Sequence, residues 1–331
     1  MIDARTTRLA TASGAGTCEG RQELSHRLGL NVPARWWPTA SMLKGIEAAG
    51  FVWVQVHTPP RSVLCARDLA REHARALLAA LGSCGLRVAV HGPDDLSAGD
   101  PAHDRALDGL LDYAEAVGAE LIAYHGANFP VVDGGAAAAR THERLAREED
   151  SLSARAARLN RAGIVLAIEN LAPVWPGPPR LSHSPRAILD LVRRLASPAF
   201  GMLLDLGHAH ITGGVASAAE LAGDAVCLFH AHDNFGSRDP GAGHAGPGLD
   251  PLRLDLHLAP GGGNLPWQAL APQLHDHAAP VLLEVHPPHR PEPLSLVTVT
   301  AELLRCGRSP AATAERAPGA AERPIGVLPP V

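Results

Sequence analysis

The sequence predicts a single (β/α)8 barrel with mobile N- and C-terminal tails. Three observations predict it: eight continuously apolar runs punctuate the chain, amphipathic helical patterns separate them, and metal-binding residue types stand where six successive runs end. Continuous apolar runs, unlike alternating ones, suit parallel strands covered on both faces. No glycine-rich dinucleotide turn follows the first run, which disfavours an open doubly wound sheet.

In order, the runs are LGLNV (28–32), FVWVQV (51–56), RVAV (87–90), ELIAY (120–124), IVLAI (164–168), FGMLL (200–204), AVCLF (225–229) and PVLLE (280–284). Between the third and fourth, DPAHDRALDGLLDYAEAVG offers Asp100 as a helix cap and Pro101 at the first helical position. Ala106, Leu107, Leu110, Leu111, Ala114 and Val117 then share one face ahead of Gly118. SPRAILDLVRRL repeats the scheme, with Ser184 as cap, Pro185 next, and Ile188, Leu189, Val192 and Leu195 on one side. A length of 331 residues accommodates one such barrel, expected over residues 26–306. Residues 1–25 and 307–331 are rich in Ala, Pro and Gly without period, and are expected to be tails.

Hydrophobic residues make up 46% of the chain and charged residues 19%, a composition suited to a soluble, ordered domain. The net charge of −5 argues against a broad basic surface for nucleic acid. Cysteines at 18, 65, 84, 227 and 306 form no CxxC pair and are odd in number, which disfavours a disulfide framework or a thiolate zinc site. A reducing cytoplasm fits them. The chain opens without an apolar signal region, and no apolar run reaches bilayer length, so neither export nor a membrane is expected.

Barrel chemistry collects at the C-terminal ends of the strands. His91 follows RVAV, His125 follows ELIAY, Glu169 ends IVLAIE, Asp205 ends FGMLLD with His208 three residues on, His230 ends AVCLFH, and Glu284 ends PVLLE. Asp255 and His257 lie in the long loop after the seventh run, in DLHLAPGGGN, where glycines let the backbone turn sharply over the same mouth. A lone histidine at a strand end is more often a hydrogen-bonded core residue than a ligand. Converging carboxylates are harder to dismiss, because an unpaired buried carboxylate costs several kcal/mol. Divalent metal is the simplest neutraliser, and imidazole with carboxylate favours Zn, Mn, Fe or Co over Ca or Mg.

Other features carry less. His57, His232 and Asn170 face the right end and are expected to touch substrate or support ligands. His275 and His277 precede the eighth run and belong near the opposite face, while His286 and His289 read as a solvated loop. GPGLD and GGGN lack the lysine and the strand-turn-helix context of a phosphate loop.

With these residues in order, the chain resembles the xylose isomerase-like TIM-barrel superfamily, which includes endonuclease IV (AP endonuclease family 2) and the sugar phosphate isomerases and epimerases. The likeness covers roughly residues 28–306 and is carried by AIEN, DLGH, HAHDN, DLHLAPGGGN and LLEVHP. The resemblance makes the first histidine of HAHD, His230, the ligand in preference to His232. For isomerases of this type it implies one metal held by Glu169, Asp205, His230 and Glu284, with the two glutamates also moving protons. For endonuclease IV-like enzymes it implies a trinuclear zinc cluster that adds His91, His125, His208, Asp255 and His257. All nine positions match, which favours two or three ions, with Glu169 bridging two of them.

Four carboxylates contribute −4, so one divalent ion leaves the site negative, whereas three bring it to +2 and suit a phosphate ester. The leading expectation is therefore a metal-dependent hydrolase of a small phosphoester or phosphodiester, with Glu169 and Glu284 as catalytic residues and metal-bound hydroxide as nucleophile. The alternative is a one-metal sugar or sugar-phosphate isomerase or epimerase, and a third is a metal-binding barrel without turnover. Duplex DNA fits poorly, because HGPDDL sets Asp94 and Asp95 where a phosphate backbone would pass. A small phosphorylated or sugar-like substrate fits better. The loops 126–140, 171–183 and 231–266 are expected to set its identity.

Overall fold

The computed structural model describes residues 24–131, 135–173, 177–236 and 254–303. Cys18, Cys306, GPGLD, the tail at 307–331 and nearly all of the tail at 1–25 lie outside the described residues, as do parts of the three loops expected to set specificity. Eight strands close into a barrel in sequence order: β1 (Leu28–Val32), β2 (Trp53–His57), β3 (Arg87–His91), β4 (Leu121–Tyr124), β5 (Val165–Glu169), β6 (Phe200–Asp205), β7 (Val226–Ala231) and β8 (Val281–Leu283). Every pairing is parallel, and β8 returns to β1. The expected (β/α)8 barrel is the observed one.

Two apolar layers follow from the alternation of side chains across the strands. Trp53, Ala89, Leu121, Ala123, Ala167, Leu203, Leu228 and Leu282 fill the barrel interior. The opposite faces, with Leu30, Val54, Val90, Ile122, Ile168 and Met202, pack under the helices. Helices α1 (Ala40–Ala48), α2 (Arg61–Cys65), α3 (Arg67–Leu81), α4 (Pro101–Val117), α5 (Gly135–Ser153), α6 (Ala156–Ala162), α7 (Pro185–Leu195), α8 (Leu206–Ile211), α9 (Val215–Ala222), α10 (Trp267–Asp276) and α11 (Pro293–Leu303) occupy the connections. Among the described residues, no helix is long and apolar enough to cross a membrane.

The caps read from sequence are present. The Asp100 side chain accepts the Ala102 N–H at the start of α4, Gly118 ends that helix in the left-handed region, and Ser184 accepts the Ala187 N–H at the start of α7. The strand ends differ from the apolar runs in one respect that matters for chemistry. β2, β3, β5, β6 and β7 extend beyond their apolar runs to take in His57, His91, Glu169, Asp205 and His230. Pairing of His57 with His91 and of Asp205 with His230 carries the ladder to the rim. These side chains thus stand on hydrogen-bonded strand rather than loop, which fixes their backbone.

Behind the fourth strand, α5 grips the turn that follows His125. The buried Glu148 accepts the Tyr124 hydroxyl at 2.8 Å and the Ala127 N–H at 2.9 and 3.1 Å. Burial pushes this carboxyl up from 4.5 to about 7. The folded state therefore binds the proton more tightly than the unfolded chain, and the stability so gained is lost as pH rises from about 4.5 to 7. The full loss is about 3 kcal/mol. Glu148→Gln is expected to remove much of the fall in stability between pH 5 and pH 8, measured by urea unfolding at both.

Candidate metal centre

Three groups of side chains with metal-ligand geometry meet at the C-terminal end of the barrel. Within each, one donor atom per residue lies within 4.8 Å of the others: Glu169, Asp205, His230 and Glu284; His208, His232, Asp255 and His257; and His91, Asp94 and His125. Every donor expected from sequence is here, joined by His232 and Asp94.

The imidazoles are oriented from behind. His91 Nδ1 donates to the Gly92 carbonyl, His208 Nδ1 to the Asn170 carbonyl and His257 Nδ1 to the Glu284 carbonyl, each at 2.8 Å. Each bond fixes the tautomer and leaves Nε2 as a lone-pair donor facing carboxylate. His91 Nε2 then lies 3.6 Å from Glu169 Oε2, while His208 and His257 Nε2 lie 3.5 and 3.1 Å from Asp255 Oδ2. His230 is turned the other way. Its Nε2 donates to Gln55 Oε1 at 2.7 Å, leaving Nδ1 at 3.1 Å from both Glu169 Oε1 and Glu284 Oε2.

Two carboxylates reach into two groups each. Glu169 turns Oε1 to His230 and Oε2 to His91 and His125, at 3.6 and 3.4 Å. Asp205 turns Oδ2 to His230 at 3.8 Å and Oδ1 to His232 at 3.1 Å. Glu169 Oε2 and Asp205 Oδ2 are buried and make no hydrogen bond. Anionic oxygens left so, beside His91 and His230 whose opposite nitrogens are already committed, fit divalent cations.

The charges support this. Burial opposes ionisation of Glu169, yet His230, His125 and His91 hold its carboxyl well below the ordinary range. Glu284 is held low against burial by His230 and His257. Burial and the neighbouring His91 push His57 down to about 3, so it stays neutral.

DLHLAPGGGN now has a local explanation. Asp233, fully buried, accepts the N–H groups of Asn234, Gly261 and Leu265 and the indole N–H of Trp267, at 2.9 to 3.0 Å. It ties the loop down onto the end of β7. Gly263 passes so close that a Cβ there would sit 2.4 Å from Asp233 Oδ1 and 2.2 Å from the Asn234 carbonyl. At the start of α8, a Cβ on Gly207 would sit 2.1 Å from the His232 ring. Both glycines are required by close approach, and they hold the second donor group together.

Some expected roles change. His232 is fully buried among donors, and Asn170 spends its side chain on the Asp205 N–H (2.9 Å) and carbonyl (3.1 Å). Neither is among the residues lining the cavity, and Asn170 holds Asp205 by its backbone. His57 does line it. His286, expected in a solvated loop, also lines it and stacks on His257 at 4.1 Å between centroids, because the backbone after β8 is tied to the His257 carbonyl. His277 meets the Gly223 carbonyl away from the mouth, and Asp95 pairs outward with Arg61.

Asn31 and Gln55, paired across β1 and β2, were not singled out by sequence pattern. Asn31 Nδ2 donates to Glu284 Oε1 at 3.1 Å, and Gln55 accepts from His230. A lone amide within each apolar run was the available signal. Gln55→Leu is expected to weaken metal affinity by about 10- to 100-fold, measured by competition with a chromogenic chelator. Above the donors opens a cavity of about 840 Å³.

Comparisons with known proteins agree with this architecture. No curated protein matches the chain in sequence. Among solved structures, a D-tagatose 3-epimerase-like protein is similar at 19% identity and TM-score 0.64, over 84% of this chain and 97% of that one. The 3-keto-D-glucoside 4-epimerase from E. coli is similar at 16% identity and TM-score 0.61, over 85% and 99%. The D-allulose 3-epimerase from Methylomonas sp., solved with D-allulose, is similar at 17% identity and TM-score 0.57, over 86% and 96%. At these identities the likeness concerns the fold. The model of the xylose isomerase-like TIM barrel family matches residues 43–305, and the chain belongs to that family.

Proposed function

We propose that the chain is a divalent-metal-dependent isomerase or epimerase acting on a sugar or sugar-like carbonyl compound. One observation carries the proposal: Glu169 and Glu284 meet at His230 Nδ1, each at 3.1 Å, and both line the cavity, Glu169 buried and Glu284 half-buried. Glu169, Asp205, His230 and Glu284 would hold a divalent ion, which would supply polarisation of the substrate carbonyl. Glu284, steadied by Asn31, removes the proton from the carbon beside that carbonyl, and the electron pair moves onto the carbonyl oxygen. For inversion, Glu169 first takes a proton from solvent and delivers it to the opposite face of the same carbon as the electron pair returns, and Glu284 releases the proton it removed to solvent. Delivery to the neighbouring carbon shifts the carbonyl when the proton of the adjacent hydroxyl also passes to the former carbonyl oxygen. The epimerase names of the similar structures support this ahead of the hydrolase expected from sequence.

A second reading, metal-assisted hydrolysis of a small phosphoester, is favoured by the two further donor groups and by the way Glu169 and Asp205 each reach into two groups. Two or three ions would then be bound, with Zn, Mn, Fe or Co suited to the donors. Duplex DNA is a poor occupant, since Asp94, Glu169, Asp255 and Glu284 all line the cavity. Protein loaded with Mn, Co or Zn is expected to interconvert members of a panel of five- and six-carbon ketoses, followed by NMR, and to lose this on chelation. Turnover of a bis-aryl phosphate with no ketose converted would instead support the hydrolase.

A further inference from the structure

The floor of the cavity is built from carboxylates, but one wall is not. Arg180 is the single guanidinium or ammonium group among its described lining residues, and it stands in the wall with Asn128 and His183. It is half-buried and has no carboxylate partner within salt-bridge distance among the described residues, unlike Arg155, Arg158 and Arg194 on the outer helices. Its Nη1 donates to the Asn128 carbonyl at 3.0 Å and to Asn128 Oδ1 at 3.1 Å. Its Nε and Nη2 have no protein acceptor among the described residues.

The neighbours point the same way. Asn128 Oδ1 already accepts from Arg180, and from the Ser182 hydroxyl at 3.4 Å, so the free end of that amide is its NH2 donor. His183 Nδ1 accepts the Arg180 N–H at 3.2 Å, which places its ring proton on Nε2. Burial, Arg180 and His208 lower the pKa of this ring, keeping it a neutral donor. All three residues are rigidly placed, because the loop after β4 is laced to the loop after β5. The Val131 N–H meets the Pro179 carbonyl at 2.8 Å, Pro130 bridges Arg180, and the Leu171 N–H meets the Ser182 carbonyl at 2.7 Å. A fixed wall offering donors only, with an unneutralised guanidinium at its centre, is suited to an anion.

We infer that Arg180, Asn128 and His183 form an anion-recognition wall, and that the substrate carries a phosphate ester or carboxylate at a distance from its reacting carbons. The inference rests on the sugar isomerase or epimerase reading for what the rest of the substrate is. A guanidinium fork on a doubly charged phosphate, with two neutral donors beside it, favours phosphate over carboxylate.

Two measurements on the metal-loaded full chain test it. In the first, kcat/KM is compared for D-ribulose 5-phosphate and D-ribulose, with solvent deuterium entry as the readout. The phosphorylated sugar is expected to be preferred by about 100-fold, and Arg180→Met is expected to bring that ratio close to one, with Arg180→Lys between. A merely structural arginine would lower both rates and leave the ratio unchanged, which would overturn the inference, as would an absence of preference in the wild type. If neither sugar exchanges, the reading of the reaction fails instead, and the wall is judged by binding alone. Calorimetry with the inert D-sorbitol 6-phosphate, D-gluconate and D-sorbitol is then expected to rank the phosphate tightest, with its advantage lost in Arg180→Met. Tightest binding of gluconate, lost in the same variant, would assign the wall to a carboxylate. Equal binding of all three would overturn it.

Discussion

Glu284→Gln is expected to lower kcat for sugar interconversion by about 10²- to 10⁴-fold, the span set by losing a positioned proton acceptor. Gln keeps the length of the side chain and can still accept from Asn31, but it neither takes a proton at neutral pH nor offers the negative charge that faces His230. The rate should be reported per bound ion, with metal content measured alongside, because the same carboxylate is also a ligand. Asn31→Ala should show a smaller loss in the same assay, since it removes only the group that steadies Glu284. Equal rates for Glu284→Gln and wild type at full metal occupancy would remove Glu284 from the chemistry.

Stripping the metal is expected to cost the fold about 4 kcal/mol relative to protein held at a free ion concentration a thousandfold above Kd, read as a fall in Tm on thermal unfolding. The effect should depend on pH in a defined direction. Without metal, burial opposes protonation of His91 and His257, but Glu169 beside the first and Asp255 beside the second lift each from 6.5 to about 9. A histidine raised in the folded state stabilises it fully below pH 6.5, and the contribution disappears as pH rises through 9. Metal-free protein is therefore expected to lose stability between pH 6.5 and 9. Loading at pH 7 displaces these protons, so apparent affinity should rise with pH over the same window. A metal-free protein whose Tm is flat from pH 6.5 to 9 would contradict the assignment of these histidines.

The barrel was legible because parallel strands covered on both faces cannot alternate, so their sequences stand out as unbroken apolar runs. The donors were legible for a related reason. Asp205 in FGMLLD and Glu169 in IVLAIE are charges at the buried C-terminal ends of apolar strands, and charge there needs a counterion. What pattern could not reveal was sharing between distant segments. Arg180 and Asn128 are 52 residues apart and are joined only by two loops lying side by side. His232 and His230 are both in HAHDN, and only the fold shows that the strand turns His230 to one donor group and His232 to the next. The nine matching positions behind the hydrolase expectation count ligands, and a ligand count alone does not separate it from the isomerase or epimerase alternative.

Solvent deuterium entry tests the central claim most directly. Metal-loaded protein incubated with an accepted sugar in D2O is expected to place deuterium on the carbon beside the carbonyl, seen as loss of that proton in the NMR spectrum, and Glu284→Gln is expected to abolish it. Hydrolysis of a phosphoester by the same preparation, with the sugar proton retained across the ketose panel and its phosphates, would contradict the claim.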